Sequence, residues 1–471
     1  MQADFEKYLG KTPSAGQAAF FRKFEGFLKD DNMHSAFILR GYAGTGKTTT
    51  VKAIVAYLKS NKYKAVLLAP TGRAAKVLSN YSGENASTIH KKIYRRKSSV
   101  EVLASFSLNE NKHTNTIFIV DESSMISGTM NDATGAYFSR GSLLDDLVEY
   151  VYSNTNNCRL LLVGDTAQLP PVGSDFSPAL NKEMMHSQYG LRIFEHELTE
   201  VLRQEKASGI LENATDLRKL IDENIINWPQ IKTKGFKDFY SITGEQLGDG
   251  INYAYDNYGI DETLVVCRSN KNANQYNQQI RSRILFREEE ISAGDFLMVV
   301  KNNYFWLPPE EQGFIANGEI IRVVKVGREE EMYGFRFADI TVQLIDFPNE
   351  LKLTVKVLID TIYVDSPSLN NEDQKKLYDS VSADYADILN KKERYEKIKA
   401  DPYYNALQIK FAYAVTCHKA QGGQWKVVFV DQGYLVDEML NLDLLRWLYT
   451  AITRASFQVF LVNFHPKFFA K

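Results

Sequence analysis

Three short stretches carry side chains at spacings that chemistry can use. Gly41-Tyr-Ala-Gly-Thr-Gly-Lys-Thr48 follows an apolar run and precedes a helix-like one. The backbone N–H groups of such a loop, with the amino end of the helix after it, form a cradle for phosphate oxygens. Gly41, Gly44, Thr45, Gly46, Lys47, Thr48 and Thr49 line that cradle. Glycine is needed where the backbone approaches the oxygens, Lys47 brings a point charge to the outer phosphates, and the Thr48 hydroxyl is a ligand for magnesium. In the second stretch, Ile117-Phe-Ile-Val-Asp-Glu122, an apolar strand ends in two carboxylates. Asp121 is the place for a magnesium-holding carboxylate, and Glu122 the place for one that polarises an attacking water. The third stretch, Arg159–Gly173, delivers the uncharged amide Gln168 between Asp165, which fixes the turn, and Pro170-Pro171, which restrict the backbone. An amide can donate to a γ-phosphate and orient a neighbouring donor with its carbonyl; a carboxylate would repel the phosphate. Together these stretches predict hydrolysis of a nucleoside triphosphate, with Mg2+ as its metal ligand.

Such groups need a rigid frame. Apolar runs ending in Gly, Asp, Pro or Ser recur at 36–41, 65–70, 116–122, 159–165, 263–269, 427–431 and 459–464. Continuous apolar runs with polar carboxyl ends are the pattern of parallel strands covered on both faces, and open α/β sheets keep their chemistry at those ends. Four runs precede residue 166 and three follow residue 262, which predicts two α/β sheet domains. Between 291 and 360 the pattern changes to alternating strands of a small antiparallel β module, and 370–400 reads as one charged helix. With 471 residues, 44% of them hydrophobic, the chain can bury more than one core. The net charge of −2 gives no global basic signature, so a polyanion would need a local patch. No apolar run approaches the roughly 18 residues of a membrane span, and the mixed acidic start is unlike a secretory signal. Cys158, Cys267 and Cys417 lie far apart, as reduced thiols of a cytoplasmic protein do.

Further stretches surround the three: Ala69–Leu78 (APTGRAAKVL), Ser87–Tyr94 (STIHKKIY), Leu198–Gln204 (LTEVLRQ), Ala414–Trp425 (AVTCHKAQGGQW) and Leu448–Ala455 (LYTAITRA). In this order, and over about residues 17 to 460, the series resembles the superfamily 1B DNA helicases of the RecD and Dda branch. The resemblance implies two RecA-like P-loop NTPase domains with ATP in the cleft between them. A small hairpin insertion belongs in the first, and an SH3-like β module with a helical arm in the second. The implied divisions are 1–203 (domain 1A, hairpin at about 95–115), 204–290 with 405–471 (domain 2A), and 291–404 (domain 2B; module 291–360, arm 370–400). Gln17 would read adenine, Gly422 would belong to the nucleotide site, and Arg203 and Arg454 would reach the γ-phosphate, a role that suits permanent guanidinium charge. Gln424 stands where related helicases often carry Glu, so a ribose contact is not carried over to it.

The resemblance further implies single-stranded DNA across both domains, held by Pro70, Thr71, Arg73, Thr88 and His90 in the first and by Thr416 and His418 in the second. Thr and His can hold phosphate or sugar without imposing sequence. Lys91, Lys92, Arg95, Arg96 and Lys97 add a basic cluster, and Phe106 would be a strand-separating wedge in the hairpin. The implied activity is an ATP-dependent DNA helicase, a monomer moving 5′-to-3′ on single strands and acting on forked duplex. Two other readings stay open: an RNA helicase of the same superfamily, and a RecD-type motor or switch subunit of a larger DNA-processing complex. The SH3-like module could alternatively dock protein partners.

Overall fold

The computed structural model describes residues 2–96, 106–129, 141–153, 157–201, 208–307, 314–345 and 351–470. Alternation within the apolar runs decides the first layer. In Ser35–Gly41 (β1), Ala36 and Ile38 enter one core while Phe37 and Leu39 enter another, because successive strand side chains point to opposite faces. The next strands are Lys64–Ala69 (β2), Ala86–Thr88 (β3), the paired short strands Tyr94–Arg96 (β4) and Phe106–Leu108 (β5), Thr116–Val120 (β6), Cys158–Gly164 (β7) and Arg192–Leu198 (β8). β6 and β7 repeat the alternation of β1, with Phe118 and Leu160 on one face and Ile117 and Leu161 on the other. Six of these strands form one sheet in the order β3-β2-β6-β7-β1-β8, and every pairing in it is parallel.

Phe239–Ile242 (β9) and Thr263–Cys267 (β10) open a second sheet. The chain then leaves it for a closed barrel of Phe296–Val299 (β11), Ile320–Met332 (β12), Phe335–Leu344 (β13), Lys352–Leu358 (β14) and Leu407–Phe411 (β15). It returns with Ala414–Thr416 (β16), Trp425–Asp431 (β17) and Ala455–Val462 (β18), giving the order β16-β10-β17-β18-β9, again all parallel. The fold is two RecA-like α/β domains with a small barrel inserted in the second.

Two details differ from the sequence reading. The strand that closes the barrel lies at 407–411, past the 291–404 segment, and pairs antiparallel with β11 and parallel with β14. The 370–400 region is two helices, Asn371–Asp384 and Lys391–Lys399. Asn390 starts the second by accepting the Lys392 and Glu393 N–H groups, and a capping Asn between two helical stretches ends any single one. Leu377, Val381 and Ile398 bury the pair against Phe335, Phe337 and Leu358 of the barrel.

Candidate functional site

The strand order positions the site. β6, β7 and β1 are adjacent, so Asp121, the Asp165–Gln168 turn and the glycine loop emerge side by side at their carboxyl ends, within about 10 Å. In the loop, Gly44 and Gly46 have φ of 81° and 82°, which a side chain would strain. Lys47 begins the helix Lys47–Ser60; its Nζ donates to the carbonyls of Gly41 (2.5 Å) and Tyr42 (3.0 Å) and lies 3.9 Å from Asp165 Oδ2. Thr45 Oγ1 donates to the Tyr42 carbonyl at 2.8 Å, and Thr48 is exposed at the helix start. Gln17 is fully buried: its Oε1 accepts the Ser14 N–H and its Nε2 donates to Thr50 Oγ1 at 3.0 Å. The amide thus braces the helix before β1 against the helix after the loop.

Glu122 has φ 51° and ψ 36°, a left-handed backbone uncommon outside glycine, of the sort that clusters at functional sites. Its N–H donates to Asp121 Oδ1 at 2.9 Å, and Tyr81 donates its hydroxyl proton to Asp121 Oδ2. Burial pushes the Glu122 carboxyl above the usual carboxylate range, against the opposing pull of Arg454. The oxygen donors Thr48 and Asp121 suit magnesium, which prefers one or two protein ligands and fills its shell with phosphate and water oxygens. Among the described residues no cluster of three or more His, Cys, Asp or Glu could hold a metal without such help.

The second domain closes the cleft. Arg454, 4% exposed, donates from Nε to the Thr450 carbonyl (3.0 Å) and from Nη1 to that of Gly423 (3.3 Å), and Nη1 stands 4.0 Å from Glu122 Oε1. Tyr449 donates to Asp165 Oδ2 at 2.6 Å and accepts the Ala43 N–H of the glycine loop at 2.9 Å. Gln421 Nε2 donates to Gln168 Oε1 (3.2 Å) and to the Leu169 carbonyl (3.0 Å), and Leu169 N–H donates to Thr450 Oγ1 (2.9 Å). Gly422 has φ 78°, and a Cβ there would come within 2.9 Å of Ala74 Cβ, so the two domains touch where only glycine fits. Arg203 lies outside the described residues, as do Lys97 and the side chain of Phe106.

The candidate strand-binding residues sit at helix starts. The Thr71 hydroxyl caps the helix Gly72–Ser82 by accepting from Ala74 N–H, and the Thr88 hydroxyl caps Ile89–Ile93 by accepting from Lys91 N–H, each at 3.2 Å. A hydroxyl used as acceptor keeps its proton for a phosphate. Thr416 begins Cys417–Ala420 without a side-chain cap bond, and His418 is exposed. Pro70 and Arg73 are half-buried, and Arg73 lies 5.1 Å from the Trp425 ring of the second domain. Burial pushes the His90 imidazole down to about 4, leaving it uncharged at neutral pH, a hydrogen-bonding group that brings no charge to a phosphate. Of the basic cluster, Lys91 reaches across to the barrel's Glu319, at 3.7 Å.

Sequence reasoning did not single out Tyr449 or Tyr81. Tyr449 carries no local signal, because its helix also holds Asp443, Arg446 and Thr450. Tyr81 has none: it stands 40 residues from Asp121, and only the pairing of β2 with β6 brings them together.

Residues 14–228 match a family model described as an AAA domain, and residues 411–462 one described as a UvrD-like helicase C-terminal domain. The chain is 25% identical to the ATP-dependent DNA helicase dda of Enterobacteria phage T4, over 95% of this chain and 98% of that one. It is 33% identical to the ATP-dependent RecD2 DNA helicase of Deinococcus radiodurans, over 30% of this chain and 16% of that protein. The Pif1 helicase from Bacteroides in complex with ADP-AlF3 and ssDNA is a structural neighbour with a TM-score of 0.46, at 14% identity over 96% of this chain and 94% of that one. The phosphate-binding loop in a first RecA-like sheet domain and the second-domain arginine facing it agree with the two family matches and with the likeness to the dda helicase, which together support a superfamily 1B helicase of the RecD/Dda type.

Proposed function

We propose that the protein is an ATP-dependent DNA helicase that moves 5′-to-3′ on single-stranded DNA, as a monomer, and opens duplex with the free energy of hydrolysis. The observation that carries this reading is the approach of Arg454 to Glu122 across the cleft, because it makes the phosphate site a joint property of two domains. A site shared in this way converts nucleotide turnover into relative domain motion, and the strand-binding candidates lie on both domains.

In this reading Lys47 and the glycine-loop N–H groups bind the phosphates, and Thr48 and Asp121 would hold Mg2+, which neutralises charge on them. Glu122 orients and deprotonates the attacking water, and Arg454, with Arg203 as a second arginine, stabilises charge on the γ-phosphate. Adenine recognition by Gln17 requires its amide to exchange Ser14 or Thr50 for the base. Thr71, Arg73, Thr88, His90, Thr416 and His418 grip the strand, Pro70 shapes the start of the helix Gly72–Ser82, and Phe106 wedges the fork. Residues 1–203 work as domain 1A and 204–290 with 405–471 as domain 2A, whose β15 also closes the barrel of domain 2B.

Forked duplexes with one tail test the reading. Unwinding is expected with a 5′ tail alone and not with a 3′ tail alone, and ATPase stimulation by poly-dT should exceed that by poly-U. Unwinding from a 3′ tail would reverse the polarity, and stronger stimulation by poly-U would replace the substrate.

Gln168 and Gln421 supply a second expectation. Their amides meet across the domain boundary, so truncating Gln168 breaks that contact, and truncating Gln421 breaks it together with the bond to the Leu169 carbonyl. Gln168→Ala should keep most ATP affinity and lose about 10- to 150-fold in turnover, the worth of one hydrogen bond to a charged group. It should also open fewer base pairs per ATP. Gln421→Ala should share much of that loss, and the double variant should fall well short of the product of the two. An unchanged ratio of base pairs to ATP in both single variants would remove the pair from coupling.

A further inference from the structure

We infer that Tyr81 is a positioning residue that ties strand binding at one end of the helix Gly72–Ser82 to the carboxylate of Asp121 at the other; the inference rests on the helicase reading above. The amino end of this helix carries Thr71 as its cap and Arg73 in its first turn, and it is the point where Gly422 of the second domain makes its close approach. Strand binding and domain closure therefore both press on the same end. Tyr81 lies nine residues after Gly72, about 14 Å along the axis, and its hydroxyl donates to Asp121 Oδ2. The stretch between is unbroken helix, stopped at Gly83 with φ 73°, and Ala74, Ala75 and Leu78 bury one face of it.

Asp121 is anchored on the other side. Its N–H donates to the Leu68 carbonyl of β2 at 3.0 Å, and its Oδ1 accepts from Glu122 N–H. One carboxylate oxygen is thus held by the turn that follows β6, and the other by a helix that can shift with the strand-binding surface. A rigid helix passes a small displacement along its length, and a carboxylate whose second donor has moved presents different lone pairs to a cation. The hydroxyl is not needed for phosphate binding or for proton transfer; its role is to make the orientation of Asp121 depend on the position of the helix.

Linkage makes this testable without turnover. If the strand alters the metal-holding carboxylate through this helix, metal-loaded nucleotide must alter strand affinity by the same factor. The measurement is the Kd of labelled oligo-dT by fluorescence anisotropy, with ADP plus Mg2+ and with ADP plus EDTA. Free Mg2+ also screens DNA phosphates, equally in every variant, so the quantity compared is the ratio of the two Kd values between proteins. The ratio for the parent should differ from that for Tyr81→Phe by about fivefold or more, the lower range of such couplings. Tyr81→Met, which also fills the space without a donor, should match Tyr81→Phe and carries the test if the latter does not fold. Tyr81→His, with a ring N–H, should recover part of the difference. A parent-like ratio in the folded donor-free variants overturns the inference. Oligo-dT stimulation of ATP hydrolysis in the parent separates the two layers: without it the helicase reading fails, and with it an unchanged ratio fails Tyr81 alone.

Discussion

Lys47→Ala is expected to abolish DNA-stimulated ATP hydrolysis, by about a thousandfold or more, in a protein that still folds. A thousandfold corresponds to about 4 kcal/mol of transition-state stabilisation. The geometry supports a loss of that size because Lys47 is already aimed: two loop carbonyls hold its ammonium, so little reorganisation separates it from a phosphate. The cost to the fold is smaller. The ion pair with Asp165 is long at 3.9 Å, and Asp165 keeps the Tyr449 hydroxyl and the Ala167 N–H as donors once the lysine is gone. Steady-state ATPase with saturating oligo-dT, beside a thermal melt, checks both halves. Near-normal turnover in the folded variant would remove the nucleotide site from this loop.

Arg454→Ala should bind ATP and hydrolyse it about 10³-fold more slowly, the usual range for an arginine finger. Its Nε and Nη1 donate to carbonyls of its own domain, which fix the guanidinium without neutralising it. Arg454→Lys keeps the charge but not the fork of donors, and should lose turnover as well. A second signature follows from Glu122. Burial raises its pKa and Arg454 lowers it, so removing the arginine moves the carboxyl further up. If ionised Glu122 is the base, the acid limb of the pH–rate profile shifts to higher pH in Arg454→Ala, and Arg454→Lys shifts it less. Unchanged turnover at saturating ATP and DNA would make Arg454 a structural residue.

Much of this arrangement is legible in the sequence. The strands that read cleanly, such as β1, β6 and β7, are buried on both faces, so their apolar runs are continuous. The others are short or lie at an edge: β3 and β16 have three residues each, and β8 mixes charged side chains into Arg192-Ile-Phe-Glu-His-Glu because the sheet ends there. The site divided in the same way. Lys47, Asp121 and Gln168 follow strands at carboxyl ends, where a general rule places chemistry. Arg454 and Gln421–Gln424 come just before β18 and β17, at amino ends, and only resemblance to a family pointed to them. Tyr81 and Tyr449 act through neighbours distant in sequence, and no local pattern records a distance set by strand order.

The barrel's closing strand has a consequence for how such a chain can be divided. β15 runs through only Ala412 and Tyr413 into β16, and one continuous cluster joins Leu297, Ile321, Ile340 and Val355 of the barrel to Val265, Cys267, Val427 and Phe429 of the second sheet. A module that shares its core with its host is not a cassette: it cannot be lifted out, exchanged with a relative's or expressed alone without exposing side chains of that cluster. Insertion, in this chain, has ended in fusion. Changes in the barrel will be felt as changes in the stability of the whole second domain, and selection must act on the two as a single piece.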